Sequence, residues 1–228
     1  MKAMRPWPRA AYILGFAALF SGVALLLSVL LAVWLPAGLA ATGITAVGIG
    51  TFLMRRAPRV ERRYLGRIIL AGLIGGVLAT ICYDVARHLI SFFEPTRYDP
   101  WLAIRAFGSL LVGEDATIGA QLVAGSLFHL VNGTAFGVGY CLFFGRFGRI
   151  SNRHALATGI GWGLFLETFQ LTLYPGWLDI RAVQEFAAIS FTAHVIYGAV
   201  LGLTSRATLV RLFRGAPGDT AGSASIGP

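Results

Sequence analysis

The sequence is poor in charged residues. Only 13% of its 228 residues are Asp, Glu, Lys or Arg, and 56% are hydrophobic. Soluble globular chains carry about 25% charged residues, so this composition indicates a membrane protein rather than a soluble domain. The net charge of +9 would suggest a nucleic-acid partner in a soluble chain. Here the basic residues lie mostly in short loops between apolar runs, which is the pattern of membrane topology and predicts no such partner.

Cysteine is scarce, and the familiar catalytic motifs are missing. The chain has 2 cysteines, Cys82 and Cys141, which we predict at different depths in their helices, so no disulfide framework is implied. The sequence contains no P-loop, nucleophile elbow, Cys-x-x-Cys or His-Glu-x-x-His pattern. It therefore does not indicate a conventional enzyme and gives no substrate.

Long apolar runs dominate the chain instead. About 20 apolar residues are needed to cross roughly 30 Å of hydrocarbon, and six runs approach or exceed this length: residues 11–34, 36–54, 68–93, 119–145, 155–174 and 187–210. We therefore predict an all-α polytopic membrane protein with six transmembrane helices. The predicted divisions are two N-terminal helices with a basic cytoplasmic loop (1–67), a four-helix unit (68–212) and a disordered Gly/Ala/Ser-rich tail (213–228).

The distribution of basic residues predicts the orientation. All of them lie on one side of the six spans except Arg87, Arg97, Arg105 and Arg181. Because cytoplasmic loops carry the excess of Lys and Arg, both termini are predicted to be cytoplasmic. The expected location is a bacterial inner membrane. The expected partner is the lipid bilayer. The sequence does not decide whether the chain also forms a homo-oligomer or joins a larger membrane complex.

Two similar segments occur in the second half of the chain. "PWLAIRAF" at 100–107 and "GWLDIRAV" at 176–183 share the pattern Trp-Leu-x-Ile-Arg-Ala. Each follows a Gly-rich helix and precedes a His-x-x-x-Gly-x-x-x-Gly pattern, which begins at His129 and at His194. We predict that spans 3–6 form a pseudo-twofold four-helix bundle from two duplicated helix pairs, an arrangement in which sites commonly form at the repeat interface. Spans 1 and 2 have no counterpart and are expected to pack or anchor.

The first outer loop contains the signals of a short helix. Asp99 and Pro100 resemble an N-cap followed by proline in the first turn, and Gly113 would close the segment. Its apolar residues would share one face. We expect this helix to lie in the outer interface over whatever the bundle encloses.

Four spans each carry a titratable residue at a similar depth: Asp84, His129, Glu167 and His194. A charge at the centre of a membrane helix costs roughly 2.5–3.5 kcal/mol, so such residues usually face the protein interior. We expect each histidine to lie beside the carboxylate of the preceding span. Residues near enough in sequence to add hydrogen bonds are Tyr83, Asn132, Gln170, Thr192 and Tyr197.

Several chemistries fit these residues. Asp84, His129, Glu167 and His194 could bind a metal ion, with His88 as a further ligand four residues after Asp84. They could instead form a proton relay open to the outer side. Two histidines on facing helices could also be the axial ligands of a b-type haem. Finally, the cluster could only stabilise helix packing beside the Gly-x-x-x-Gly pairs.

Two arginines occur at equivalent places in the duplicated motif, Arg105 and Arg181. Arginine near the membrane interface often binds lipid phosphate, which is the simpler interpretation. Alternatively, this pair at the outer mouth could attract anionic ligands or neutralise the carboxylates of Asp84 and Glu167.

One region resembles a known family. "HLVNGTAFGVGYC" at 129–141 is similar to the YagU-type family of small bacterial inner-membrane proteins, in which a histidine precedes a Phe-x-Val-Gly-Tyr-Cys run. The likeness continues through "LFLETFQLTLYPG" to His194, over about the last 100 residues. The resemblance implies an inner-membrane protein connected with acid tolerance. It carries over His129 and His194, and Glu167 falls where the family allows another polar residue.

Overall fold

The computed structural model describes residues 8–93 and 98–214, and within these ranges the secondary structure is entirely helical. The eight helices of the described residues are α1 (Arg9–Ala18), α2 (Phe20–Leu31), α3 (Leu35–Arg56), α4 (Arg59–Phe93), α5 (Leu102–Val112), α6 (Ile118–Gly148), α7 (Asn152–Trp177) and α8 (Val183–Phe213). The predictions for Lys2, Arg5, Arg97 and the tail beyond Arg214 lie outside the described residues.

Each of the six apolar runs forms helix. The first run is divided at Leu19, where α1 and α2 meet at an angle of 42°. Four of the described helices, α3, α4, α6 and α8, are long and apolar enough to cross a membrane, and the bent α1–α2 pair would be a fifth span. Helix α7 has 26 residues, which is long enough, but it is not among these four. The described part of the chain is thus all-helical, with several helices of membrane-spanning character.

The basic segment after the third helix differs from the prediction. The expected loop up to residue 67 is only a short break at Ala57 and Pro58, and α4 begins at Arg59. Arginine is a good helix former, and Pro58 supplies its carbonyl to the amide of Arg62 in the first turn. The arginines therefore extend α4 beyond its apolar part, and the predicted division at residue 67 falls inside this helix.

Close glycine contacts join α4 to α6. A Cβ atom added at Gly76 would lie 2.8 Å from Thr134 Cα, and one added at Gly137 would lie 2.5 Å from Gly76 Cα. Real Cβ atoms essentially never come within 3.0 Å of such neighbours. The helix backbones can approach this closely only because these positions lack side chains, as in other small-residue contacts between membrane helices.

Helices α7 and α8 meet in the same way. A Cβ atom added at Gly159 would lie 2.2 Å from the carbonyl oxygen of Gly198, and one added at Gly163 would lie 2.3 Å from that of His194. Another close glycine contact joins α4 to α8, where a Cβ atom at Gly75 would lie 2.4 Å from the side-chain Oγ of Ser205. Close glycine contacts therefore join three of the helix pairs in the bundle.

These three contacts give the helix order α6, α4, α8, α7 in a curved row. The two outermost helices of the row, α6 and α7, meet at the end where the short turn before Asn152 connects them. There the hydroxyl groups of Tyr140 and Thr158 are 2.9 Å apart. Towards the other end, where α5 lies, α6 and α7 diverge and enclose a cavity. We refer to these two ends as the turn end and the α5 end.

The predicted short helix is present as α5. Asp99 Oδ1 accepts a hydrogen bond from the amide of Trp101 at 2.8 Å, just before the helix starts. Gly113 ends it with φ of 95° and ψ of 156°, a backbone region that is essentially restricted to glycine. The buried face, which includes Phe107, packs against α6. The prediction that this helix covers the enclosed space is confirmed, because Phe107 lines the cavity.

The two copies of the Trp-Leu-x-Ile-Arg-Ala motif adopt different conformations. In the first copy, Trp101 immediately precedes α5 and the following residues are helical. In the second copy, Trp177 is the last residue of α7, and the motif forms the turn to α8 with Asp179 at φ of 48°. The likeness between the two halves therefore lies in their glycine contacts and histidines rather than in this motif.

Candidate functional site

Glu167 of α7 and His194 of α8 form a buried pair. The Oε2 atom of Glu167 is 2.6 Å from Nδ1 of His194, and the two residues are only 2% and 5% exposed. The close approach at Gly163, one turn before Glu167, brings α7 near enough to α8 for this contact. Ser190, one turn before His194, donates a hydrogen bond to the same Oε2 atom at 2.7 Å.

The neighbours of His194 determine where its proton lies. Nδ1 faces two acceptors, Glu167 Oε2 at 2.6 Å and the Ser190 carbonyl oxygen at 3.0 Å, so this nitrogen carries a hydrogen. In the neutral ring Nε2 is then an acceptor, and it lies 3.5 Å from Nε2 of Gln170. The imidazole is thus oriented by a carboxylate on one side and presents its second nitrogen towards the cavity that both His194 and Gln170 line.

A second pair joins α4 to α6. His129 Nε2 lies 3.2 Å from Oδ1 of Asp84. Arg87, one turn along from Asp84 and 4% exposed, places Nη2 3.2 Å from the same oxygen. Each histidine therefore lies beside the carboxylate of the preceding span, as the sequence predicts. The two pairs are not equivalent, since Asp84 also lies beside the charged guanidinium of Arg87, whereas Glu167 accepts a hydrogen bond from the neutral hydroxyl of Ser190.

Tyr83 connects the two pairs. Its ring centroid is 5.5 Å from that of His129 and 4.8 Å from that of His194. The ring is buried, and the Arg87 guanidinium lies 5.5 Å from its centroid. The four titratable groups predicted from the sequence thus gather around one tyrosine.

The histidine of each pair, His129 or His194, lines a cavity of about 170 Å³ between α6 and α7. On the same measure, one water molecule needs roughly 10–15 Å³, so the cavity has room for several waters or for a small ligand. Its polar wall consists of Thr80, Tyr83, His129, Asn132, Gln170, His194 and Tyr197. The remaining wall is apolar and rich in aromatic rings, with α2 on one side and α7 on the other.

The first predicted span contributes to this site as well as to packing. Ser21 of α2 is fully buried, and its hydroxyl donates to Oδ1 of Asn132 at 2.8 Å. Gly22 lets the ring of Phe136 approach, since a Cβ atom there would lie 2.7 Å from Phe136 Cζ. Leu26 and Val29 line the cavity on the same helix. This contribution of α2 to the site was not predicted from the sequence, because the first span contains no charged residue.

Several predicted site residues lie elsewhere. The ring of His88 packs against Trp101, with centroids 4.2 Å apart, and its Nδ1 bonds the backbone carbonyl of Asp84 rather than the carboxylate. Thr192 is exposed and bonds its own helix. These two residues are therefore not part of the cavity.

The two duplicated arginines are paired near the chain turns. Arg105 is hydrogen-bonded to Asp99. Arg181 lies 3.6 Å from Asp179, and both of these side chains are almost fully exposed. Asp84 and Glu167 are thus balanced by other partners, and the structure does not place Arg105 and Arg181 beside them. Near Asp99, burial raises the pKa of the Tyr98 hydroxyl above its ordinary value.

The donor geometry bears on the metal and haem hypotheses. In the described residues, no three His, Cys, Asp or Glu side chains are grouped as metal ligands, and each pair offers two donors where zinc sites use three or four. Tyr83 contacts both His129 and His194, so a haem bound between these imidazoles would have to displace its ring. The residues present therefore do not suit either group.

Three residues that shape the site were not predicted to do so. Ser190 lies four residues before His194 and Arg87 three residues after Asp84, so helical spacing alone puts them on the same faces. Ser21 has a weaker signal, since it is only a small polar residue inside an apolar run.

Comparisons of the whole chain with protein-family models, with curated proteins and with solved structures found no match.

Proposed function

We propose that this chain is a six-span protein of a bacterial inner membrane that binds a small, membrane-borne molecule in the cavity between α6 and α7. In this proposal α7 is the sixth span, both termini are cytoplasmic, and the α5 end faces outward. The two carboxylate–imidazole pairs would hydrogen-bond the bound molecule and exchange protons with it.

One observation carries the proposal: two imidazoles, each within 3.2 Å of its own carboxylate, line one cavity. An oriented imidazole with one nitrogen bonded to a carboxylate can donate or accept a proton at the other nitrogen. In His194 this second nitrogen faces the cavity wall beside Gln170. Intramembrane ionisable residues commonly mark such binding or proton-transfer sites.

A role only in packing is less well supported. The glycine contacts already hold α4 to α6 and α7 to α8 through their backbones, without help from charged groups. Protein interiors are close-packed, and voids larger than a water molecule are few. A cavity of about 170 Å³ directly beside the costly buried pairs favours a ligand over a purely structural cluster.

The half of the bundle at the turn end favours a binding site over a pathway across the membrane. Around the turn end, buried apolar side chains of α1, α4, α6 and α8 form a continuous core that includes Leu65, Ile68, Tyr140, Leu142 and Leu209. None of these five side chains lines the cavity. We therefore place a one-sided binding site ahead of a channel or carrier.

The resemblance to the YagU-type family belongs to this proposal. It rests on the run that starts at His129, on Glu167 and on His194, and it would connect the site with tolerance of acid. A site that exchanges protons in the outer half of the membrane is compatible with that connection.

The test is to ask what the purified protein retains. The protein is isolated in mild detergent and extracted with organic solvent, and the extract is analysed by mass spectrometry. We expect a small molecule at close to one per chain in the wild-type protein. Leu26→Trp should remove it, because the larger side chain fills the cavity from its apolar wall without touching either pair.

Leu30→Trp is the matched control. Leu30 lies one turn further along α2 and is exposed, outside the cavity lining, so this variant should retain the molecule. Glu167→Gln should lower its occupancy while the protein stays folded. Equal retention by both tryptophan variants, or no retained molecule in the wild-type protein, would contradict the proposal.

A further inference from the structure

The cavity opens sideways between α2 and α7. These two helices make almost no contact with each other within the described residues, and both line the cavity. Three lining residues beside this gap are also accessible from outside: Val23 of α2 is 44% exposed, and Phe165 and Phe169 of α7 are 48% and 42% exposed. A membrane protein has lipid along this flank, so a ligand can enter from the bilayer without passing through water.

The interior of the cavity is divided by polarity. Leu26 and Val29 of α2 and Leu173 of α7 give an apolar wall, which suits a hydrocarbon tail. The deep wall carries hydrogen-bonding groups on both sides, with His129 and Asn132 on α6 and Gln170 and His194 on α7 and α8. An amphiphile with a polar head and an apolar tail matches this division.

The polar wall indicates a neutral head with acceptors at both ends. Asn132 uses its Oδ1 to accept from Ser21, which leaves its amide hydrogens to donate into the cavity. Each carboxylate already has an imidazole partner, so an additional charged group is not required. Both imidazoles lie within 5.5 Å of the Tyr83 ring, and all three side chains line the cavity, so a ring-sized head beside Tyr83 can face both sides of the polar wall.

The aromatic side chains around the cavity favour a flat ring. Phe107, Phe136, Phe165, Phe169 and Tyr174 all line it, and aromatic surfaces stack well on planar rings. A flat, neutral ring with a carbonyl at each end and a hydrocarbon tail is the chemical description of a lipid-soluble quinone.

We infer that the cavity binds the ring of a lipid-soluble quinone, which enters from the bilayer through the gap between α2 and α7. This inference rests on the proposed binding function and specifies its ligand class. The quinone carbonyls accept hydrogen bonds from the amide groups of Asn132 on one side and Gln170 on the other, and the tail leaves along α2.

The test uses photolabelling in nanodiscs made from quinone-free lipid. The probe is an azido-substituted benzoquinone with a short alkyl tail, and the labelled residues are mapped by mass spectrometry. We expect saturable labelling of the cavity-lining parts of α2 and α7, which decyl-benzoquinone prevents and decanol does not. Helix α3 is an internal control, since only 6% of its apolar segment is buried inside the protein. A probe that merely dissolves in lipid labels α3 as strongly as α2 and α7.

Variants sharpen this experiment. Leu26→Trp should abolish the saturable labelling, and Leu30→Trp should not change it. Gln170→Leu removes a hydrogen-bonding group of the polar wall, and the loss of about one buried hydrogen bond should weaken probe binding about tenfold.

The possible failures are distinguishable. Labelling spread over α3 as much as over α2 and α7, together with a retained small molecule that is not a quinone, would overturn the quinone inference and leave the binding function standing. Unselective labelling with no retained molecule would overturn both.

Discussion

The contact between α7 and α8 at Gly159 allows a quantitative prediction about a single methyl group. In Gly159→Ala the new Cβ atom would lie 2.2 Å from the carbonyl oxygen of Gly198, and the contact must lengthen beyond 3.0 Å. The obstacle is backbone on a neighbouring helix, so no side-chain rotation relieves it and α7 must move away from α8. Gly161 lies two residues along the same helix and has open space where its Cβ atom would be.

The magnitudes follow from these two environments. Overpacking costs about 1–3 kcal/mol, and replacing a helical glycine with alanine gains about 1 kcal/mol. We expect Gly161→Ala to stabilise the protein by about 1 kcal/mol. The Gly159 contact lies at the upper end of the overpacking range, about 3 kcal/mol, and the gain from alanine offsets about 1 kcal/mol of this cost. Gly159→Ala should therefore destabilise the protein by about 2 kcal/mol.

The assay is reversible unfolding in mixed micelles, titrated with SDS and followed by far-ultraviolet circular dichroism. Gly159→Ala should also reduce ligand retention, because the displacement of α7 separates Glu167 from His194. Gly161→Ala should retain the ligand fully. The reasoning is refuted if the two variants have the same stability, or if Gly159→Ala is the more stable one.

Three further predictions concern single contacts, measured by the same unfolding assay. Glu167→Ala leaves the buried Nδ1 of His194 without its carboxylate and should cost about 3 kcal/mol; a loss below 1 kcal/mol would mean that the pair is not formed. Arg87→Met leaves Asp84 with only its imidazole partner and should destabilise the protein more than the double variant Asp84→Asn/Arg87→Met, in which no carboxylate is left under-compensated; simple additivity of the two substitutions would contradict this. Gly113→Ala should cost about 1–3 kcal/mol, since its backbone conformation is nearly restricted to glycine, and a neutral result would place the end of α5 elsewhere.

The helices were predictable because each rests on local information. The apolar runs of this chain are all helical, and Gly113 ends α5 as predicted, whereas the N-cap is Trp101 rather than the predicted Asp99. The beginning of α4 was mispredicted because the arginines were interpreted by their charge and not by their helix propensity. A run of arginines looks like a loop in a topology argument, yet it continues a helix well.

The site was predictable only in part. The pairing of each histidine with the carboxylate of the preceding span required nothing beyond depth and the cost of burying charge. The role of α2 could not be derived in that way, because Ser21 and Leu26 reach the site through tertiary packing that no local pattern encodes. The repeated motif misled for a related reason: five shared residues do not force one backbone conformation when the flanking helices differ.

The order of the four central helices has a mechanical consequence. Glycine contacts join α6 to α4, α4 to α8 and α8 to α7. In contrast, α6 and α7 contact each other near Tyr140 at the turn end and are bridged at the α5 end by the ring of Phe107. The row of four helices is thus closed along only one line, where α6 faces α7, and we call this line the seam. Widening the seam at the α5 end breaks none of the close backbone contacts. The molecule should therefore be most compliant along this one line, and a ligand larger than the resting cavity can be admitted by bending at the turn.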